Sequence, residues 1–226
     1  MLLPAVEVAW LGRTAYLSAW RQQEELRRRI ITGQSVERIL LVEHDPVITL
    51  GRNADPSHVL IDPRGLLERG ITCVTTNRGG DVTYHGPGQL VAYPVVRLER
   101  GVVAHVAALA QAVVDVVAPL GVVAEFRRAP IGVWVGDAKL AAIGIHVSRH
   151  VAVHGLALNV TTPLEMFQTI VPCGLSSRVT SLAELVASPP SVEALALPLG
   201  AAIAARLGKS AVGMRSSLLS EIASVE

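Results

Sequence analysis

Residues 132–160, GVWVGDAKLAAIGIHVSRHVAVHGLALNV, decide the fold class. Gly132 to Val135 and Lys139 to Val147 are runs of β-forming residues, and Gly136-Asp137 between them is a two-residue hairpin signature. Ser148-Arg149-His150 interrupts the pattern before a third strand, Val151 to Val160. Strands joined by turns this short pair as antiparallel neighbours, because a parallel pair needs a crossover of a dozen residues or more.

Upstream, Ile39-Leu40-Leu41-Val42 and Val47-Ile48-Thr49-Leu50 read as two strands around His44-Asp45-Pro46, with His44 at the corner. Ile71 to Thr75 is strand-like, which makes Cys73 a core residue in expectation. Val82 to His85, Leu90 to Tyr93 and Val122 to Phe126 complete the strands. Thr14 to Ile31 reads as a helix, with Leu17, Trp20 and Ile31 inward and Glu24, Glu25 and Arg27 to Arg29 outward. Leu66 to Arg69 is a helical turn closed by Gly70. Val103 to Ala118 is apolar almost all round and is expected to be buried. Ser181 and Glu184 fit a capping box for a helix to about Val186, and Ser191 to Leu207 is a helix kinked at Pro198. The tail after Gly208 carries little signal and is expected to fray. The whole reads as one α+β domain over residues 1–226, on a largely antiparallel or mixed sheet flanked by helices.

Composition removes several function classes. Half of the 226 residues are hydrophobic and 17% are charged, which suits a sizeable core. A net charge of +1 gives no global footprint for nucleic acid or an anionic membrane. Two cysteines, Cys73 and Cys173, make no disulfide framework. Met1-Leu2-Leu3-Pro4 lacks a basic lead into an apolar core, so no secretory signal is expected. The apolar segment Val102 to Val117 contains His105, Gln111 and Asp115 and reads as too short and too polar for a bilayer, which makes a cytoplasmic protein the expectation.

Four features carry chemistry. Arg78 to Gln89 holds glycines at 79, 80, 86 and 88, which let a backbone approach a ligand closely; ordinary tight turns account for Gly79-Gly80 equally well. Lys139 sits in an apolar β run. The ordinary reading is a solvated edge lysine, and the functional one is an amine whose pKa falls from about 10.4 by desolvation. Cys173 stands between Pro172 and Gly174, where the ordinary reading is a small buried hydrophobe. His146, His150 and His154 recur every four residues, but on strands rather than one helix face, so no metal is expected.

The segments Arg78 to Leu90, Gly132 to Gly136 with Lys139 to Gly144, His154 to Asn159, and Val171 to Gly174 with Val179 to Leu182 together resemble the lipoyl(octanoyl) transferase family. They occur in the family's order, and Glu43-His44 resembles an earlier block. Leu156 replaces an expected aromatic, and Arg178 an expected small residue. The resemblance implies the fold of biotin and lipoate protein ligases. It also implies transfer of octanoyl from acyl carrier protein to a lysine of lipoyl domains, those of 2-oxoacid dehydrogenases and of the glycine cleavage H protein. Cys173 is then the acyl-carrying nucleophile and Lys139 its partner in a dyad. Substrate-binding positions are Arg78, Gly79, Gly80, Asp81, Val82, Thr83, Tyr84 and His85, then Ala142, Ile143 and Gly144, then Gly155, Leu156 and Ala157. Backbone amides near Gly79-Gly80 or Ala142 to Gly144 are candidate oxyanion donors. No cofactor, nucleic acid or membrane is implied, and a monomer is expected. An ATP-dependent lipoate or biotin ligase of the same fold, or a non-catalytic module that binds lipoyl domains, are the alternatives.

Overall fold

The structure, a computed structural model, describes residues 3–171 and 178–216. The Cys173 assignment therefore lies outside the described residues. Strands β1 (Ala5–Thr14), β2 (Arg38–His44), β6 (Gln89–Val95), β7 (Glu125–Arg128), β8 (Ile131–Val135), β9 (Ala138–Ser148), β10 (Val151–Asn159), β11 (Arg178–Val179) and β12 (Ser210–Ser216) form one sheet. Its order is β12-β1-β2-β6-β10-β9-β8-β7, with β11 added parallel to the start of β9. The β12-β1-β2 end is parallel and the path from β2 to β7 is antiparallel, so the sheet is mixed and the class is α+β, as expected. A second sheet has the order β4-β3-β5, from β3 (Val47–Leu50), β4 (Thr72–Thr75) and β5 (Val82–His85).

Helices α1 (Tyr16–Ile31), α3 (Gly101–Val117) and α5 (Val192–Arg206) cover the large sheet. Every residue of β10 is buried, because layers cover both of its faces. Leu156, Leu158 and Val160 join Leu109 and Val113 of α3 and Leu195, Leu199 and Ile203 of α5 in the main core. Val151 and Val153 pack on the opposite side with Leu26 and Ile30 of α1. Close approach of α5 requires Gly200, where a Cβ would stand 2.4 Å from Val8 Cγ1. The small sheet has its own cluster of Ile48, Ile71, Val82, Tyr84, Phe167 and Ile170, against which Leu66 of α2 (Pro63–Glu68) packs.

Several expectations fail for identifiable reasons. Helix α1 buries Tyr16, Ala19, Gln23, Leu26 and Ile30, while Leu17 is 44% exposed. Trp20 and Ile31 are half-buried, Ile31 against the Leu26–Ile30 cluster, but the contact with β10 and β6 selects a stripe that includes a polar glutamine and leaves Leu17 outside it. Cys73 is exposed because β4 is an edge strand of the small sheet. Strands β2 and β3 do flank a turn at Asp45-Pro46 with His44 at its corner, as expected, and the turn joins two different sheets. Strand β7 begins only at Glu125, and Val123 before it is exposed.

At Ser181 no capping box forms: its hydroxyl makes no cap bond, and the Glu184 carboxylate accepts from Thr180 Oγ1 at 2.9 Å, ahead of the short α4 (Leu182–Leu185). Helix α3 runs on into a 3-10 turn, giving a segment from Gly101 to Leu120 that length and composition alone would let cross a membrane. Its outer positions Val102 and Val103 are exposed, contrary to the expectation of all-round burial. The stretch after Gly208 does not simply fray: β12 pairs in parallel with β1, a strand the hydropathy pattern did not reveal.

Candidate active-site cleft

A cleft with about 820 Å³ of empty space, its open mouth included, lies where β9 and β10 meet the loop before β5. Two breaks in strand alternation furnish it. The register between β8 and β9 shifts from Val133 opposite Ala141 to Trp134 opposite Lys139, so β9 carries one extra residue. Such a bulge re-aims the side chains on one side of it. Leu140 and Ala141 are both fully buried in the main core, while Lys139 shares the cleft with Ala142 and Gly144. Lys139 is 8% exposed, and its Nζ lies 5.0 Å from the Trp134 ring centroid, within cation–π range. Gly132 makes room for the lysine stem, since a Cβ there would stand 3.1 Å from Lys139 Cε and 2.8 Å from the Ala141 carbonyl oxygen.

The second break is His154, whose φ of +59° is uncommon for a residue with a side chain. Its even-numbered neighbours Leu156 and Leu158 face α3 and α5. The His154 ring instead turns to the α1 side, 6.0 Å from Trp20 and 6.5 Å from Tyr93 between centroids. Its backbone amide donates to Gln23 Oε1 at 2.8 Å, and its Nε2–H donates to Asn77 Oδ1 at 2.6 Å. Strained backbone of this kind costs about 1–3 kcal/mol and persists only where the surroundings hold it.

Three neutral imidazoles and two tyrosines line or back the end of the cleft near α1. His44 Nδ1–H donates to the Thr14 carbonyl at 2.7 Å, which leaves Nε2 to accept from the Tyr93 hydroxyl at 2.7 Å. Tyr16 stacks on His85 with centroids 6.0 Å apart. Burial, the largest cause in each case, pushes His44 down to about 4 and His85 and His154 to about 3. Burial likewise raises Tyr16 to about 12 and Tyr93 well above its usual value. At neutral pH these five groups are uncharged, and the Arg78 guanidinium is the cation among them. Arg78 is held by Thr49, through Nε to Oγ1 at 3.0 Å and Nη2 to the carbonyl at 2.6 Å, and by the Gly79 carbonyl at 3.0 Å.

Twelve of the fourteen substrate-binding positions proposed from sequence line this cleft: Arg78, Gly79, Gly80, Val82, Thr83, His85, Ala142, Ile143, Gly144, Gly155, Leu156 and Ala157. Asp81 and Tyr84 do not. Asp81 Oδ2 accepts from His58 Nδ1 at 2.6 Å, and Tyr84 packs edge-on against Phe167 in the small-sheet core. The glycine-rich loop is also less of a ligand nest than its composition suggests. The Gly79 amide donates to the Ile145 carbonyl at 2.9 Å, so it is committed to holding the loop on β9. The turn Gly86-Pro87-Gly88 is a latch, with the Gly88 carbonyl accepting from Val160, Thr161 and Thr162.

A hydrogen-bonded chain joins the cleft wall to the segment after the undescribed residues. His85 Nδ1–H donates to Gln89 Oε1 (2.7 Å), Gln89 Nε2 donates to Asn159 Oδ1 (2.9 Å), and Asn159 Nδ2 donates to the Thr180 carbonyl (3.0 Å). The Thr180 amide in turn donates to the Lys139 carbonyl at 3.0 Å, and β11 sets Val179 opposite Lys139. On the other side, the Val171 amide donates to the His58 carbonyl at 2.7 Å. The described residues on either side of 172–177 are thus anchored at His58 and at Lys139. The sequence reading missed Tyr16, Tyr93, Gln89 and Asn159 as cleft residues; the tyrosines read as ordinary core residues, and the amides carry meaning only once their partners are known.

A family model described as the lipoyl protein ligase A/B catalytic domain matches residues 15–204. An octanoyltransferase of Solibacter usitatus is 51% identical over 180 residues, covering 77% of this chain and 81% of that protein. Among solved structures, the bi-partite lipoate protein ligase of Thermoplasma acidophilum superposes with a TM-score of 0.70 at 16% identity, covering 96% of this chain and 87% of the other. A biotin protein ligase of Aquifex aeolicus gives 0.53 at 14% identity, over 89% and 70% of the two chains. At these identities the structural likeness speaks for the fold, and the sequence matches carry the family. The chain belongs to the lipoyl protein ligase A/B catalytic-domain family, among its octanoyltransferases.

Proposed function

We propose that this protein moves an octanoyl group from octanoyl-acyl carrier protein, through a thioester on Cys173, to a lysine of lipoyl domains. The observation that carries the reading is a buried lysine, Lys139, presented to a cleft with aliphatic walls and held beside β11, the first described strand after Cys173. The Cys173 thiolate attacks the donor carbonyl carbon to give a tetrahedral oxyanion, which collapses and expels the donor's thiol. The acceptor amine then attacks the acyl-cysteine, forming an amide and returning the Cys173 thiol. The first step exchanges one thioester for another and the second makes a more stable amide, so no nucleotide is consumed. A free thiol near pKa 8.5 is only a few per cent thiolate at neutral pH. Lys139 as ammonium would stabilise the thiolate and protonate the departing thiol; as amine it would take the proton of the incoming lysine.

Intact mass measurement after mixing with octanoyl-acyl carrier protein, without ATP, tests this. An octanoyl adduct on the wild type, absent in Cys173→Ser, is expected. Lys139→Ala should keep the fold and lose about 10²–10⁴ of turnover. Full activity in Cys173→Ser would sink the thioester route, and a strict requirement for ATP would favour a ligase.

A further inference from the structure

Away from the cleft, a hollow of about 350 Å³, open to solvent, lies between the start of α3 and the end of α5. Its floor is one stripe of α3, Gly101, Ala104, His105 and Ala108, at the spacing that shares a helix face. Only small residues accompany the histidine there, which is why the hollow exists. The start of α3 has no acidic side chain in its first turn and no side-chain cap on its free amides. His105 is 4% exposed, and among the described residues its buried Nε2 has no hydrogen-bond partner. Side chains on a helix lean toward its N-terminus, and His105 lines the hollow together with Gly101 and Ala104. Burial pushes His105 down to about 4, so at neutral pH the ring is uncharged and carries one N–H.

Four cations face the hollow: Arg97, Arg100, Arg206 and Lys209. Lys209 pairs with Glu37 at 2.8 Å and Glu99 at 2.9 Å, and Arg206 with Asp115 at 2.6 Å. The charge in and around the site is therefore four positive against three negative. Among the described residues neither Arg97, whose Nη2 donates to the Ile30 carbonyl, nor Arg100, whose charge helps to hold the Glu99 carboxyl low, makes a direct ion pair. The Arg100 guanidinium lies over Gly208, where a Cβ would stand 2.9 Å from Nη2. We propose that this hollow is a binding site for a phosphate-class anion, held by the free amides of α3, Arg100 and the His105 N–H. Helix N-termini bind such groups through their unsatisfied amides and positive dipole end.

The test uses the full chain and two probes, inorganic phosphate and glycerol 3-phosphate, each against potassium chloride at matched ionic strength. Imidazole ¹⁵N resonances are followed, with His105 assigned by its loss in His105→Gln. Saturable movement of the His105 resonance toward the Nε2–H tautomer is expected, with half-saturation at least tenfold weaker in Arg100→Ala. Tighter binding of the ester would identify an organic phosphate as the natural occupant, and tighter binding of phosphate the free ion. A His105 resonance that responds to neither probe, or responds equally in Arg100→Ala, overturns the site.

Discussion

Lowering the pH from 7.5 to 5.5 should remove most of the stability of this fold. His44, His85, His105 and His154 are 0%, 7%, 4% and 1% exposed, and burial holds their folded values at about 3–4. In the unfolded chain each titrates near 6.5. A base whose folded pKa is depressed takes up its proton first in the unfolded state. Stability is therefore complete well above about 6.5 and is lost as the pH falls toward the folded values. At pH 5.5, about one unit below the unfolded value, each group accounts for about 1.4 kcal/mol. Four such groups give about 5–6 kcal/mol, comparable with the whole stability of an ordinary domain. Asp115 and Glu99, held low by Arg206 and Lys209 respectively, add their own loss at lower pH. Urea titrations at pH 7.5, 6.5 and 5.5 measure the effect. The expected result is a midpoint that falls by about a quarter of the total drop between 7.5 and 6.5 and by the rest by 5.5, with His105→Leu recovering about a quarter of the drop. A midpoint unchanged to pH 5.5 would show that the imidazoles are not held neutral by the fold.

Two substitutions separate the architecture of the cleft from its chemistry. Gly132→Ala places a methyl 3.1 Å from Lys139 Cε and 2.8 Å from the Ala141 carbonyl oxygen. It should cost about 1–3 kcal/mol of stability, as overpacking does, and reduce octanoyl turnover at least tenfold in protein that is still folded. Unchanged turnover would mean the lysine stem does not depend on that space. Asn159→Leu strips partners from Gln89 Nε2 and the buried Thr180 carbonyl. Gln89 Nε2 keeps the Tyr84 carbonyl at 3.3 Å, so the Thr180 carbonyl is the group left unsatisfied; a loss of about 1–3 kcal/mol in urea unfolding is expected, against which a loss below about 0.5 would be decisive.

How much of this was legible in the sequence depends on whether a residue obeys the period of its element. The β9–β10 hairpin was readable because Gly136-Asp137 and Ser148-Arg149-His150 punctuate continuous β-formers, and Arg149 and His150 adopt the positive φ that such a turn requires. Strand β12 was not, because parallel pairing with β1 is specified by a distant partner rather than by local alternation. The inward stripe of α1 was read only in part because Gln23 is buried for its bond to the His154 amide, a contact that hydropathy cannot register. The motif residues of the cleft were found as blocks, but Asp81 and Tyr84 sit inside a block and outside the cleft: Asp81 precedes β5 and is taken by His58, and Tyr84 packs on Phe167 in the small-sheet core.

The same irregularities explain how an apolar cleft comes to hold polar groups at all. In an unbroken β9, Lys139 would share a face with Ala141, which is fully buried in the core beneath α3. An amine in that layer would lack water, and an unpaired buried charge costs several kcal/mol. The extra residue at the β8–β9 register shift moves the lysine out of the core without moving Leu140 or Ala141 from it. His154 solves the corresponding problem on β10 by backbone conformation rather than by insertion, and the Gln23 side chain takes the amide that the twist removes from the sheet ladder. Each device lets a strand needed as core also supply a polar side chain to the opposite side. Regular strands would have to choose between a sealed core and a reactive cleft; one bulge and one left-handed residue allow adjacent strands to furnish both.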